Sequence, residues 1–475
     1  MLWLSLYFPA LALEVFTRGS TDTGPMAVYE TLANRSRVIV RNRAAKQLGI
    51  ELGMSSAAAQ ALAHELKLFA RNQGAEDRTL SEIAAWAGQF TPTVSLLHPA
   101  ALLLEIEGSL TYFGGFQAFL QRVRSHAAKL GFHSRIGIAP TPLGSYLFAK
   151  NNQPPALSAN QFRQLLSNLA LDALDLPEAT LNGLKQLGLR RFHDCLDLPR
   201  AGLTRRFGQL LPDYLDRILG VLPDPRPPFI AAAEFHAALE LPSEVDDKEA
   251  LLFAANRLLQ QLAGFLSGRG GATQTLLFWL KGAHESLALP LRLINPNRNA
   301  EHFLRLLRER LEHTELPEPI RSIALDVTDI QALAFESRTL FSEHQQSAAQ
   351  AIEPLLERLS ARLGSAAVHG LKTSADHRPE FAHHDCAPAQ AGAVQALPPR
   401  PIWLLTKPQV LATRNDQPCL DGVLQILRGP ERIESGWWDG GLARDYYVAN
   451  NSHGARLWIF RERKSGAWYW HGLFA

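Results

Sequence analysis

Alternating and continuous apolar runs divide the first 160 residues into short strands and amphipathic helices. Three leucines at positions 2, 4 and 6 alternate with Trp3, Ser5 and Tyr7, a pattern typical of a buried strand. The run from Ala100 to Leu104 is long enough for another buried strand and too short for a buried helix. Phe116 to Leu130 has the spacing of an amphipathic helix. The order of these elements predicts an α+β fold that begins with a ferredoxin-like sheet carrying a small helical insertion.

Residues 160–220 are predicted to be helical, and one helical hairpin stands out. It has a Leu-Gly-Leu turn at Gly188 between two helices, with Lys185, Arg190 and Arg191 beside it. A helix-hairpin-helix would bind a DNA phosphate through its turn amides and these basic side chains. An ordinary αα-hairpin that packs on its neighbour fits the pattern equally well.

A proline-rich linker at residues 223–228 precedes a second module with the order β-α-β-β-α-β. This order predicts a second ferredoxin-like sheet between Phe235 and Val327. Its surface would present Lys281 and Arg292 to a nucleic-acid backbone. Ordinary solvated surface charge explains either residue equally well.

The composition changes after residue 335, where Ala, Gln, His, Pro and Glu predominate and one helix, Ser347 to Leu363, is predicted. The histidines and Cys386 within residues 377–386 lack the spacing of a zinc site and indicate a histidine-rich linker. Six of the nine tryptophans lie in the last 75 residues, which predicts a small β-rich module rather than a tail.

The chain of 475 residues is long enough for three or four domains, and 46% hydrophobic and 20% charged residues are typical of a globular protein. Because the net charge is only +2, any surface that binds nucleic acid must be a local patch of basic residues. Three scattered cysteines form no disulfide framework, and the N-terminal apolar run lacks the basic region of a signal peptide. We therefore expect a cytoplasmic protein without a membrane span.

Glu105 and Glu107 alternate at the end of the second buried strand, on one face. Two-metal nucleotidyl transfer needs two or three converging carboxylates, and the first strand contains none. We therefore interpret the two glutamates as structural acids and expect no metal and no cofactor.

Several local sequences resemble the Y-family translesion DNA polymerases, and the resemblance covers nearly the whole chain. The segments that carry it are Leu48-Gly-Ile-Glu-Leu-Gly-Met54, Glu105-Ile-Glu-Gly-Ser109 and Gly137-Ile-Ala-Pro140. Three further segments resemble the extension found on the polymerase-like component of the bacterial mutasome: Ala375-Asp-His-Arg-Pro-Glu380, Gly429-Pro-Glu-Arg-Ile-Glu-Ser-Gly-Trp-Trp438 and His471-Gly-Leu-Phe-Ala475.

This resemblance implies a domain order. The expected parts are a palm (1–18 and 75–160), fingers (19–74), a thumb (161–222), a little finger (229–334), a linker (335–400) and a β-rich partner-binding module (401–475).

The resemblance also implies lost catalytic positions. Active relatives carry an Asp where this chain has Ser5 and an Asp-Glu pair where it has Ala100 and Ala101. Their triphosphate-binding Tyr and Arg align with Arg43 and Lys46. Because Ser and Ala cannot hold Mg²⁺, the resemblance implies that polymerase chemistry is absent.

The function implied is a non-catalytic adaptor in SOS-induced mutagenic translesion synthesis. It would bind primer-template DNA and dock the β sliding clamp through Arg338, Thr339, Leu340 and Phe341. It would also recruit the RecA-like protein ImuA and an error-prone replicative-type polymerase. Two alternatives stay open: an active translesion polymerase that uses Glu105 and Glu107, and a protein-only scaffold.

Overall fold

A computed structural model describes the chain except residues 20–21, 333–342, 365, 387, 389–398, 439 and 475. The chain separates into two compact units, Met1–Ser347 and Ala348–Ala475. No helix in the described part of the chain combines the length and apolar character needed to cross a membrane.

The first α/β module spans residues 1–150. Its elements are β1 (Trp3–Tyr7), α1 (Leu11–Thr17), β2 (Met26–Leu32), β3 (Arg35–Arg41), α2 (Arg43–Gln47), α3 (Ser56–Leu62), β4 (Lys67–Ala70), α4 (Gln73–Ala87), β5 (Val94–Leu97), β6 (Ala101–Glu105), α5 (Phe116–Lys129), β7 (Arg135–Ala139) and α6 (Pro142–Lys150).

The main sheet of this module has the strand order β5-β6-β1-β7, and the helical insertion carries a separate sheet, β3-β2-β4. Leu4 and Leu6 of β1, and Phe8 directly after it, point to one face and share a core with Leu80 and Phe119. The predicted alternation of β1 is confirmed, because the residues between these three belong to the opposite face.

Helix α6 lies close against the opposite face of the sheet, at Gly137 of β7. A β-carbon on Gly137 would lie 2.1 Å from the backbone nitrogen of Ala149 and 2.2 Å from the carbonyl oxygen of Ser145. Only glycine permits this approach, so α6 covers the middle of β7 and β1.

A helical segment follows. Its helices are α7 (Ala159–Ser167), α8 (Glu178–Gln186), α9 (Phe192–Leu196), α10 (Arg200–Phe207) and α11 (Leu210–Leu219). They share a core that includes Phe162, Leu184, Phe192 and Leu215.

The second α/β module contains β8 (Phe235–Val245), α12 (Lys248–Gly268), β9 (Gly271–Lys281), β10 (Ser286–Asn297), α13 (Ala300–Glu312), β11 (Ile320–Val327) and β12 (Gln331–Ala332). The element order is the predicted one. The strand order, however, is β10-β9-β11-β8, so the last long strand lies between the first and the second. In the first module the corresponding strand, β7, lies at the edge beside β1.

The two modules pack through α12 and α4, and glycines on α12 permit the contact. A β-carbon on Gly264 would lie 2.1 Å from Cδ1 of Trp86, and one on Gly268 would lie 2.8 Å from the backbone of Gly88. Beside this contact, the Arg18 guanidinium, 2% exposed, lies 3.5 Å from the Glu82 carboxylate. Burial raises the pKa of Glu82 and lowers the pKa of Arg18, because low-dielectric surroundings disfavour both charges.

The boundary between the two units lies within α14 (Glu343–Leu363), and the strands that follow belong to the C-terminal unit. Its strands are β13 (Gly370–Thr373), β14 (His383–Cys386), β15 (Trp403–Val410), β16 (Ala412–Arg414), β17 (Gln417–Cys419), β18 (Gln425–Ser435), β19 (Leu442–Asn450), β20 (Arg456–Glu462) and β21 (Trp468–Leu473). Five of them form one sheet in the order β15-β21-β20-β19-β18, so the predicted β-rich module is confirmed.

The expected linker over residues 335–400 is corrected in part. Residues 370–373 and 383–386 pair as a hairpin, and the folded unit that contains them begins at Ala348. The polar, histidine-rich composition concealed this hairpin, because both of its strands are largely exposed and carry no apolar alternation.

Candidate functional site

The end of β1 and the beginning of β6 lie side by side, and this is where the resemblance places the carboxylates of active relatives. The strand register pairs Tyr7 with Ala101 in β6 and with Arg135 in β7. Cross-strand partners share a face, so Tyr7, Ala101 and Arg135 form one row across the sheet. The register therefore places Tyr7 across from Ala101, a neighbour that sequence reasoning did not identify.

Ser5 lies one row further into the sheet. It pairs with Leu103 and Gly137, under α6, and is fully buried. Its hydroxyl has no hydrogen-bond partner among the described residues. A carboxylate in this row would be covered by α6. The row of Tyr7 and Ala101 is also largely buried, because Ala101 is only 1% exposed.

Glu105 and Glu107 lie at the other end of β6, where Glu105 pairs with Trp3. Glu105 is four positions after Ala101, about 13 Å along a strand. The Glu105 carboxylate accepts a hydrogen bond from the Glu107 amide (3.1 Å), and Glu107 pairs with the N-terminal ammonium group (2.8 Å). Both acids have structural partners there, as expected for acids that hold a turn.

The row of Tyr7 is covered from the side by an aromatic and acidic cluster. Tyr146 of α6 meets Tyr7 edge to face, with the ring centroids 6.0 Å apart. Burial, with a contribution from the Asp175 carboxylate, raises the pKa of Tyr146. Lys150 pairs with Asp175, and the Asp175 amide donates to the Tyr214 hydroxyl (3.2 Å). The cluster therefore joins the first module to the helical segment.

The hairpin at Gly188 has its turn amides satisfied internally. The amide of Gly188 donates to the carbonyl of Lys185 (2.9 Å), and the amides of Arg190 and Arg191 donate to the Asp194 carboxylate at 2.7 and 2.8 Å. These bonds hold the pKa of Asp194 below its ordinary value. A phosphate would have to displace this carboxylate, so the geometry favours a packing hairpin over phosphate binding through the amides.

The basic side chains of the hairpin differ in their surroundings. Lys185 pairs with Asp172, and Arg191 donates to the Asn168 side chain (3.4 Å). Arg190 and Arg191 are exposed. Contact with DNA at this hairpin would therefore involve side chains, Arg190 foremost.

Lys281 and Arg292 lie on the same exposed face of the second sheet. Arg292 pairs with Thr275, six residues from Lys281 on β9, which separates the two basic residues by about 20 Å. The same face carries Trp279, whose indole nitrogen donates to Asp326 (2.8 Å). The two basic residues would meet a nucleic-acid backbone at two separate points.

Two further sets of predicted residues are the proposed clamp-binding segment and the positions aligned with triphosphate-binding residues. Arg338, Thr339, Leu340 and Phe341 lie outside the described residues. Arg43 and Lys46 are exposed on α2.

Three sequence motifs of the C-terminal unit converge, although about 90 residues separate the first from the last. Arg444 donates to Glu380 (2.6 Å) and to the hydroxyl of Tyr446 (3.0 Å), which lies 2.9 Å from Nδ1 of His471. His471 is fully buried, and burial lowers its pKa to about 4. The ring is therefore neutral at pH 7.

A second set of contacts links the same motifs at the surface. Arg378 forms an ion pair with Asp376 (2.7 Å) and lies over the ring of Phe381, 4.3 Å from its centroid, and 6.0 Å from that of Trp438. Arg400 forms a bidentate pair with Glu431, at 2.5 and 2.7 Å. The three motifs therefore form one folded surface. The sequence identifies each motif separately but does not predict that they are in contact.

Comparisons with known proteins identify the class of the first module. Residues 8–150 match the family described as impB/mucB/samB. The first module is therefore similar to that family, and the predicted resemblance to the Y-family polymerases is confirmed for this region.

Individual relatives extend the similarity along the chain. The chain is 27% identical over 466 residues to Protein ImuB of Caulobacter vibrioides (strain NA1000 / CB15N), which covers 90% of this chain and all of that protein. The expected resemblance to the mutasome component is thus confirmed. DNA polymerase IV of Yersinia enterocolitica is 23% identical over 203 residues, 42% of this chain and 58% of the polymerase. The solved structure of DinB from Sulfolobus solfataricus covers 70% of this chain at 14% identity, with a TM-score of 0.40.

Proposed function

We propose that this protein is a non-catalytic, polymerase-shaped adaptor in SOS-induced mutagenic translesion DNA synthesis. The first module would act as palm and fingers, the helical segment as thumb, and the second module as little finger. The observation that carries the proposal is the strand register of β1 and β6. It places Tyr7 and Ala101, which cannot ligate Mg²⁺, side by side, whereas Glu105 lies at the far end of β6 in a turn.

In this proposal the adaptor binds primer-template DNA through Arg190 and Arg191 and through Lys281 and Arg292. It docks the β sliding clamp through residues 338–341, where Leu340 and Phe341 are the apolar anchors. The C-terminal unit recruits ImuA and an error-prone replicative-type polymerase. The similarity to ImuB along 90% of the chain supports this assignment of partners.

We expect no nucleotide incorporation in primer extension with Mg²⁺ or Mn²⁺. Without carboxylates to hold the metal ions, the charge that develops on the transferring phosphoryl group is not stabilised. Extension assays with the purified full chain and labelled primer-template measure this. Incorporation that Glu105→Gln abolishes would contradict the proposal and favour the alternative, an active polymerase with an atypical metal site.

Binding to primer-template DNA should weaken as salt increases, and the charge variant Lys281→Ala with Arg292→Ala should reduce that dependence. Each lost phosphate contact lowers the slope of log K against log salt by roughly 0.9, so we expect a change of about two. Fluorescence anisotropy across a salt series measures the slope. Arg308→Ala is the matched control, because Arg308 pairs with Glu249 on the helical side of the same module. Binding with no salt dependence, or no binding, would favour the protein-only scaffold.

A further inference from the structure

A cavity of about 690 Å³ opens on the C-terminal unit, beside the surface built by the three motifs. Trp458 forms part of its lining and is 2% exposed, stacked on Tyr446 with the ring centroids 4.1 Å apart. The apolar side chains around it include Leu371, Pro379, Pro401, Ile402 and Trp403. Trp403 is 68% and Ile402 85% exposed. The cavity thus combines a fixed aromatic wall with exposed apolar residues.

The charged groups of the cavity are already neutralised by neighbours in the fold. Asp376 pairs with Arg378, and Arg400 pairs with Glu431 through both of its terminal nitrogens. A charged ligand would have to break one of these pairs, whereas an uncharged apolar group would not.

Several other arginines of the unit are paired in the same way. Further arginines there pair with carboxylates: Arg432 with Asp445, Arg444 with Glu380, Arg461 with Asp416 and Arg463 with Glu434. A nucleic-acid backbone needs a track of cations that phosphates can neutralise, and these arginines are already paired. At the cavity, where Arg400 and Asp376 are both paired, this favours a protein ligand over a nucleic acid.

The cavity adjoins the edge of a sheet. Trp403 and Leu404 belong to β15, the edge strand, which pairs with β21 and with no other strand in the described part of the chain. Gly472 of β21 allows residues 401–403 to pack closely against β21. A β-carbon at this position would lie 2.6 Å from Cγ of Pro401 and 2.9 Å from the carbonyl oxygen of Trp403. An edge strand offers backbone donors and acceptors to an added strand.

We propose that this cavity and the edge of β15 bind an extended segment of a partner protein. The segment adds as a strand to β15 and inserts one uncharged apolar side chain, aromatic or leucine, against Trp458. This inference rests on the proposed function, since it gives the recruiting role of the C-terminal unit a defined surface.

The test uses the full chain and the two partners of the proposed function, ImuA and the replicative-type polymerase, each as a purified probe. The variants Trp403→Ala and Leu371→Asp each alter the cavity lining, and the two residues belong to separate segments of the chain. Trp437→Ala is the matched control, because Trp437 is also highly exposed (84%) and is not part of the cavity lining. We expect the two cavity variants to bind one partner about thirtyfold more weakly or worse, and Trp437→Ala to bind as the unsubstituted chain does.

Two further measurements separate binding from folding. Trp403→Phe should retain most of the affinity, and hydrogen exchange of amides 402–405 should slow when the partner binds. Unchanged affinity of both cavity variants for every partner that the unsubstituted chain binds would overturn the inference and leave recruitment intact. Loss of binding in Trp437→Ala alone would also overturn it. Failure of the unsubstituted chain to bind either partner would overturn recruitment and, with it, this inference.

Discussion

Glu82→Ala will destabilise the packing of the second α/β module on the first by about 3–5 kcal/mol. The substitution leaves the Arg18 guanidinium buried at 2% exposure without the carboxylate it pairs with. The side-chain amide of Gln261 (3.5 Å), the ring of Phe132 (4.6 Å) and the electrostatically weaker Glu14 carboxyl group remain near it. Hydrogen exchange of α4 and α12, followed by mass spectrometry, measures the opening of this contact. We expect exchange there to accelerate by about two to four orders of magnitude.

The pair of Arg308 and Glu249 provides the control, because its side chains are 47% and 65% exposed. Glu249→Ala should cost less than about 1 kcal/mol. The double variant Arg18→Met with Glu82→Leu should recover most of the stability lost in Glu82→Ala, since apolar side chains then replace both members of the buried pair. If Glu82→Ala and Glu249→Ala destabilise the protein equally, burial of the Arg18–Glu82 pair does not determine its contribution to stability.

Gly264→Ala will lower the stability of the same contact by about 1–3 kcal/mol, through overpacking. The new methyl group would lie 2.1 Å from Trp86 Cδ1 and 2.5 Å from Nε2 of Gln89. Trp86 is itself 2% exposed and packs on Phe90, so it has little room to move. Calorimetry of the full chain should show the first unfolding transition at a lower temperature.

Gly202→Ala is the matched control for this substitution. Gly202 also lies inside a helix, α10, but a β-carbon there meets no atom within 4 Å. Alanine should therefore stabilise that helix by about 0.5–1 kcal/mol, because it restricts the unfolded chain. Shifts in the same direction for both glycines would show that helix propensity, rather than the contact with Trp86, governs the effect.

The sequence predicts β1 and β6 of the first module well, because alternation and apolar runs are local signals, but it does not predict the short strand β4. It does not predict which residues face each other across strands, since register depends on pairing between distant segments. The difference matters at the candidate site. The resemblance aligns Ser5 with a lost carboxylate, whereas the register places Tyr7, two residues further, across from Ala101.

The C-terminal unit shows a second kind of structural feature that the sequence does not predict. Its tryptophans and alternating strands predict a β-rich fold, but the hairpin of β13 and β14 has few apolar residues and looks like a linker. The contacts of Glu380 with Arg444, and of His471 with Tyr446, join segments that are 64 and 25 residues apart. A hydrogen-bond network of this kind leaves no periodic pattern in the sequence.

The position of β21 in its sheet has a consequence for the order of synthesis and folding. β21 lies between β15 and β20, although it is the last of the five strands in chain order. Until its residues have been translated, β15 has no partner strand, and the sheet cannot close. The first unit, whose strands come earlier in the chain, can fold as translation proceeds. During translation the first unit would therefore be complete before the cavity beside Trp403 exists. If the proposed function holds, a growing chain would acquire its DNA-binding part before its partner-binding edge.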